Sequence, residues 1–258
     1  MQSETLARLR AKLAKPLGDK CARVTLGVAD GALGGGLKRG ALHEVFARRG
    51  HETAATGFAA ALAWRAASAK TVLWIRQDYS ALEFGEIAAS GLLDLGIDPS
   101  RVLLLRVAKP EDALRAASDA LSCAALGAVV VELAGTAKVL DLTASRRLTL
   151  ACAENGVTAL LLRFGAEPDA SSAETRWVVK AQASPENEEN WGQPVFEAEL
   201  VRNRQGGTGR WVMEWSCDDG IFREAPGRAA ETDRGAVVPA PCDRPAAAAL
   251  AQNRRTAA

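Results

Sequence analysis

The sequence predicts an α/β fold, in which a doubly wound, mostly parallel sheet carries antiparallel strands at its carboxyl-terminal end. Strand-like and helix-like segments alternate between residues 42 and 164, which is the order of a sheet built from right-handed βαβ crossovers. The strand-like runs are apolar throughout, as at residues 129–131, which is typical of strands covered by helices on both faces. After residue 177 no helix separates the strand-like segments, and residues 196–200 alternate apolar with charged side chains, which indicates antiparallel strands with one exposed face.

The individual elements follow from the same patterns. A glycine-rich connector at residues 31–40 precedes the first strand, and the helix after that strand is rich in alanine, a strong helix former. Glycines interrupt the second predicted helix, and residues 203–209 supply a glycine-rich turn between two of the antiparallel strands. The predicted strands are 42–47, 71–76, 101–107, 128–133, 157–164, 177–183, 194–202 and 210–216, and the predicted helices are 52–69, 79–95, 111–124 and 141–155.

The domain organisation predicted from these patterns is an N-terminal helical arm at residues 1–24, a core domain at 25–222 and a disordered tail at 223–258. In the arm, Leu6, Leu9 and Leu13 recur at helical spacing among basic residues, and Pro16 ends the segment. This stripe is a candidate partner contact, and packing against the chain's own core is an equal alternative. The tail is rich in Ala, Pro and Arg without periodicity.

Composition narrows the functional classes. The 258 residues carry a formal net charge of +1, so no overall field recruits nucleic acid or a membrane surface. The five cysteines never fall as a close pair, which argues against a disulfide framework or a zinc site, and the two histidines exclude a multi-histidine metal centre. No apolar run reaches membrane-spanning length and the N-terminus lacks a signal-peptide core. We therefore expect a cytoplasmic protein without metal or cofactor.

The loop after the first strand lies where a doubly wound sheet binds its ligand, yet it lacks phosphate-binding chemistry. A P-loop reads G-x-x-x-x-G-K-[ST]. Aligned at equal length, this chain has Ala47 and Glu52 at the glycine positions, Thr53 at the lysine and Ala54 at the hydroxyl, with Gly50 between them. Glu52 also adds negative charge at a helix N-terminus, where the helix dipole would otherwise favour phosphate.

The residues around this loop leave a weaker phosphate-binding alternative. Arg48, Arg49 and His51 could contact phosphate in another way, although surface arginines are more often solvated. Glu132 and Asp78 end strands where nucleotide hydrolases place a magnesium-binding acid, but helix capping or pairing with arginine explains them better. The sequence thus predicts no catalytic residues and no enzymatic activity.

Several segments resemble RecA. Residues 34–37 and 40–46 resemble its entry into the P-loop, residues 100–106 and 111–114 resemble the next strand and helix, and residues 200–204 resemble a strand beyond its core. The P-loop is missing and no long insertion corresponds to the mobile DNA-binding loops. The resemblance therefore implies a RecA-like fold over about residues 25–222, without its activity.

The chain is also similar to the ImuA family, through residues 72–75, Gly91-Leu92, Gly96-Ile97 and the turn from Arg202 to Gly209. This resemblance implies a non-catalytic accessory protein of SOS-induced, error-prone translesion DNA synthesis. Its implied partners are a Y-family-like polymerase homologue and an error-prone replicative-type polymerase. RecA binding, self-association and DNA contact through a local basic patch remain open, whereas membrane binding is not expected.

Two other functions stay open as alternatives. A SulA-like inhibitor of cell division, which binds the tubulin-like division protein, shares this kind of core, although such chains are shorter. An active RecA-like ATPase is disfavoured by the loop. Arg202, Arg204 and Arg210 flank the glycine-rich turn and are candidate contacts for DNA or an acidic partner, with a solvated hairpin as the equal alternative.

Overall fold

A mixed β-sheet organises the part of the chain that the computed structural model describes, residues 22–184 and 192–225. Within those residues the sheet has nine strands in the order β11-β10-β9-β8-β3-β7-β6-β4-β5. Its strands are β3 (Leu42–Ala47), β4 (Thr71–Gln77), β5 (Val102–Val107), β6 (Leu126–Ala134), β7 (Thr158–Phe164), β8 (Thr175–Gln182), β9 (Val195–Asn203), β10 (Gly209–Ser216) and β11 (Ile221–Glu224). Two short strands, β1 (Arg23–Val24) and β2 (Leu37–Lys38), pair separately as an antiparallel ribbon.

The pairing confirms the predicted fold class. The strands β8, β3, β7, β6, β4 and β5 are parallel to one another. From β8 onwards the chain forms an antiparallel meander through β9, β10 and β11. The change of direction follows from the connections, because helices occupy the crossovers before β7, whereas the short segments 204–208 and 217–220 join β9 to β10 and β10 to β11.

The helices cover the two faces of the sheet unequally. They are α1 (Glu52–Ala67), α2 (Asp78–Phe84), α3 (Ala89–Asp94), α4 (Pro110–Ala120) and α5 (Leu142–Asn155), with one 3-10 turn at Pro99–Arg101. Helix α1 packs on one face together with Trp74 and Trp177, and this core continues onto Phe196 of the meander. Helices α4 and α5 pack on the other face against apolar residues of β6 and β7.

Alanine and glycine let α1 lie close to the sheet. The helix buries seven alanines, and Phe58 on the same helix contacts the rings of Trp177, Phe196 and Phe222 at centroid distances of 5.1 to 5.8 Å. At the end of α1, a Cβ added to Gly127 of β6 would lie 2.5 Å from the backbone of Ala67. Only glycine fits there, so the parallel core depends on this close approach.

Two elements differ from the sequence prediction. The helix predicted at 79–95 is two short helices, because Gly85 takes a φ of +81° and the following residues are extended up to Ala88. The apolar run of β5 was predicted to be covered on both faces, and this was wrong. The strand lies at the edge of the sheet and exposes 54%, 45% and 38% of Leu103, Leu104 and Leu105.

The ordered elements extend slightly beyond the predicted core at both ends, since β1 begins at Arg23 and β11 ends at Glu224. The leucine stripe of the predicted arm, Leu6, Leu9 and Leu13, lies outside the described residues, as does nearly all of the predicted tail. No helix among residues 22–184 and 192–225 is long and apolar enough to cross a membrane.

Candidate functional site at the carboxyl ends of the strands

The loop between β3 and α1 is a tight connection of four residues, 48–51. Arg48 donates its backbone N–H to the carbonyl of Val179 at 3.2 Å, and His51 donates its own to the carbonyl of Arg48 at 2.9 Å. The ring of His51 is anchored as well, because its Nδ1 accepts the N–H of Ala181 at 3.1 Å. The loop is therefore fixed to β8 by its own backbone.

An acidic side chain occupies the amino terminus of α1. The Glu52 carboxylate accepts the backbone N–H of Gly50 at 3.3 Å, a donor that a phosphate-binding loop would direct at its ligand. Gly50 takes a φ of +82° and Thr53, at the lysine position, is exposed. Ala47 is buried in the core and Ala54 packs against it. None of these five residues supplies a cation or a hydroxyl at the P-loop positions that need one.

Glu132 lies on β6 at the position of a magnesium-binding acid, but both of its oxygens are already bonded. The carboxylate is fully buried and accepts the indole N–H of Trp74 and the Nη2 of Arg76, each at 2.9 Å. A buried carboxylate held by an arginine and an indole is an internal ion pair, not an open metal ligand. Asp78 likewise pairs with Arg106 at 3.0 Å, so both acids bind arginine, as the sequence interpretation favoured.

A cleft of about 240 Å³ opens beside this ion pair. It lies between α1 and the segment that joins α2 to α3, with Thr56 and Gly57 on one wall, Trp74 and Arg76 at its floor and Ile87 opposite. Arg76 donates Nη1 to the carbonyl of Gly85 at 3.0 Å, which ties the floor to that segment. The lining is largely apolar, and its one arginine is bonded to Glu132.

Both ring nitrogens of His43 have hydrogen-bond partners within the protein. His43 is fully buried, and its Nε2 lies 2.8 Å from the carbonyl of Lys38, so this nitrogen carries the proton. Its Nδ1 lies 2.7 Å from the hydroxyl of Thr175, which in turn accepts the indole N–H of Trp177 at 3.1 Å. Burial lowers the pKa of His43 to about 4. Within residues 22–184 and 192–225 no cluster of acids, cysteines and histidines could hold a metal ion.

The three arginines predicted as partner or DNA contacts do not form one free patch. Arg202 donates to the carbonyl of Ser171 at 2.9 Å and Arg204 to that of Ala173 at 3.1 Å, so both hold the segment that leads into β8. Arg210 instead binds the Glu197 carboxylate at 2.5 Å on the adjacent strand.

The glycine-rich turn that these arginines flank packs on the connector at residues 31–40. Asn203 donates its side-chain amide to the carbonyl of Ala32 at 2.8 Å, and a Cβ on Gly206 would lie 2.3 Å from the same oxygen. The glycine therefore serves a contact within the chain.

Sequence reasoning missed two features. One is the exposed leucine edge of β5, since a run of leucines looks the same in a central strand and in an edge strand. The other is a polar cluster under the segment that joins β7 to β8, on the face that carries α5. There Arg176 donates to the Glu44 carboxylate at 2.8 Å, and the guanidinium groups of Arg163 and Arg176 lie over the ring of Phe46. The only available signal was a charged residue inside each otherwise apolar strand.

The amino-acid sequence of the chain is similar to those of known proteins. It matches no protein-family model. It is 32% identical over 198 residues to Protein ImuA of Caulobacter vibrioides strain NA1000 / CB15N, covering 70% of this chain and 77% of that protein. Protein ImuA of Caulobacter vibrioides strain ATCC 19089 / CIP 103742 / CB 15 matches with the same identity and coverage. A likeness of this degree over three quarters of the relatives' length means that the chain belongs to the ImuA family.

Proposed function

We propose that the chain is a non-catalytic accessory protein of SOS-induced, error-prone translesion DNA synthesis, which acts in the cytoplasm through polymerase partners. Membership of the ImuA family supports a role in damage-induced mutagenesis. The more specific proposal is that it binds a Y-family-like polymerase homologue and an error-prone replicative-type polymerase and holds them together at damaged DNA.

The observation that carries this proposal is the open edge of β5. Among the described residues, β5 pairs only with β4, so the backbone N–H and C=O groups along its other side bond to no other described strand and can pair with a further one. Leu104 is in register with Trp74 and so faces the α1 side, whereas Leu103 and Leu105 face the side of α4. Apolar side chains exposed on both faces of an edge strand are costly in water and suit a partner that covers both.

An extended apolar segment of a polymerase fits this edge best. Such a segment adds one strand to the sheet, and its own alternating side chains then cover the leucines on each face. Backbone pairing supplies affinity, while the leucines favour apolar side chains in the partner. The chain would thereby extend its sheet with a polymerase strand instead of binding a nucleotide.

The chemistry of the loop supports a non-catalytic role. Glu52 occupies the N–H of Gly50, Thr53 replaces the lysine, and Glu132 is bonded to Trp74 and Arg76. Nucleotide hydrolysis needs a cation at the β and γ phosphates and ligands for magnesium. At the P-loop positions for the lysine and the hydroxyl, this loop has Thr53 and Ala54, which supply neither the cation nor the magnesium ligand.

The test replaces Leu104 with Glu, which places a charge at the centre of the proposed contact. Leu150 on α5 is a matched control, because it is an exposed leucine on another face. We expect Leu104→Glu to reduce capture of the purified polymerases at least about tenfold, which corresponds to about 1.4 kcal/mol of binding free energy. Damage-induced mutation frequency should also fall at least about tenfold. Leu150→Glu should leave both unchanged. Equal capture by Leu104→Glu and wild type, with unchanged thermal stability, would contradict docking at β5.

A further inference from the structure

Arg163 is an unusual arginine at the carboxyl end of β7. Only 8% of its surface is exposed, and its Nε–H has no hydrogen-bond acceptor. Within residues 22–184 and 192–225 its guanidinium makes no ion pair within 4 Å, and its carbon lies 5.8 Å from the centre of the Phe46 ring. A buried cation normally has a bonded acid partner, because removing its charge from water is costly. The missing partner points to a ligand.

The neighbouring acids do not supply that partner. The carboxylate of Glu44 is bonded to Arg176 at 2.8 Å, and Arg176 also donates to the backbone carbonyl of Asp169. Asp169 is exposed and accepts the N–H of Ala170 at 2.6 Å. Burial lowers the pKa of Arg163 below its ordinary value, although Glu44 and Asp169 act in the opposite direction. Glu44 and Asp169 therefore attract the positive charge at Arg163 without forming an ion pair with it within 4 Å.

The strand register places a second arginine, Arg48, near it. Phe46 is in register with Arg163, and Arg48 follows Phe46 by two residues while its backbone still bonds to Val179 of β8. Strand alternation thus directs Arg48 to the same side of the sheet as Arg163, at the diagonal position across β3 and β7. Arg48 is exposed and has no hydrogen bond or ion pair from its side chain to any residue that the structure describes.

We propose that Arg163 and Arg48 form a binding site for a phosphate group on the α5 side of the sheet, at the carboxyl ends of β3 and β7. The guanidinium group presents several N–H donors in a plane, which matches the several oxygens of a phosphate better than a single carbonyl. The site differs from a P-loop in two respects. It uses arginine side chains in place of backbone N–H groups, and it lies beside β7 instead of at the amino terminus of α1. The phosphate could come from a nucleic-acid backbone or from a small phosphorylated molecule.

The experiment uses the purified full chain and a fluorescein-labelled single-stranded oligonucleotide, with binding measured by anisotropy over a series of salt concentrations. Each lost phosphate contact should lower the slope of log affinity against log salt by about 0.7 and weaken binding about fivefold at 0.1 M salt. We expect this from both Arg163→Gln and Arg48→Gln. Arg115→Gln, which removes a largely exposed arginine on α4, should bind like wild type.

Two measurements, oligonucleotide binding and thermal melting with inorganic phosphate, distinguish a nucleic-acid backbone from a small phosphorylated molecule as the source of the phosphate. If the oligonucleotide binds as described, a nucleic-acid backbone is the source. If it does not bind, but inorganic phosphate raises the melting temperature of wild type and not that of Arg48→Gln, a small phosphorylated molecule is the source. Wild-type affinity and salt slope in Arg48→Gln, together with no phosphate effect on melting, would overturn the site. Arg48 is exposed, so this variant remains informative even if Arg163→Gln fails to fold. The measurement involves no polymerase and is independent of docking at β5.

Discussion

Protonation of His43 should couple the stability of the fold to pH. The imidazole is fully buried and neutral, with Nε2 donating to Lys38 and Nδ1 accepting from Thr175. A proton added at Nδ1 would convert that acceptor into a donor facing the hydroxyl, in a fully buried site where the described partners of the ring are the Lys38 carbonyl and the Thr175 hydroxyl. Burial is the main reason why the pKa falls from 6.5 to about 4, while the hydrogen bond to Lys38 acts the other way.

The magnitude follows from the two pKa values. Since the folded-state pKa lies below that of the unfolded chain, the unfolded state takes up the proton first, and stability falls as pH drops from about 6.5 to about 4. The full difference corresponds to about 3 kcal/mol, of which about 2 kcal/mol should be lost between pH 7.5 and pH 5. Most carboxylates remain ionised at pH 5, so this window isolates the histidine.

The assay is urea unfolding of wild type, His43→Gln and His51→Gln at pH 7.5 and pH 5. Wild type and His51→Gln should each lose about 2 kcal/mol of unfolding free energy between the two pH values. His43→Gln should be less stable at pH 7.5 but lose much less on acidification, because it has no buried group to protonate. The reasoning would be refuted if His43→Gln kept the wild-type pH dependence, or if an NMR titration of His43 gave a midpoint near 6.5.

The remaining predictions concern the ion pairs and the loop. Glu132→Ala should reduce the free energy of unfolding by about 3–5 kcal/mol, because it leaves Arg76 buried with only the half-exposed Glu86 at 3.6 Å, whereas Asp78→Ala removes a half-exposed pair worth less than about 1 kcal/mol. Equal losses in a denaturant titration would contradict the assignment of Glu132 to the core. Purified protein should hydrolyse no ATP above background in the presence of magnesium, and turnover abolished by Thr53→Ala would show that the loop is an active site after all.

The sequence alone determined that helices cover a parallel sheet in this protein, and which residue types occupy the loop between β3 and α1. Apolar runs separated by helix-like segments predict a parallel core because such strands must be covered on both faces, and alternation at Phe196 and beyond predicts the one-sided meander. The absence of the P-loop signature at residues 47–54 can also be read directly from the sequence, since that signature consists of residue types at fixed spacing. Helix boundaries moved by a few residues, mainly where glycine broke the segment at Gly85.

Only the tertiary structure decided which strand lies at an edge and which charges remain unpaired. Strand order depends on how the crossovers pass over the sheet, so the leucines of β5 carry no local sign that no further strand covers them. Ion pairs likewise join residues distant in sequence, such as Glu44 with Arg176 and Glu132 with Arg76. Arg163 is distinctive because folding pairs Arg176 with Glu44 and leaves the Arg163 guanidinium without an ion pair to any described residue.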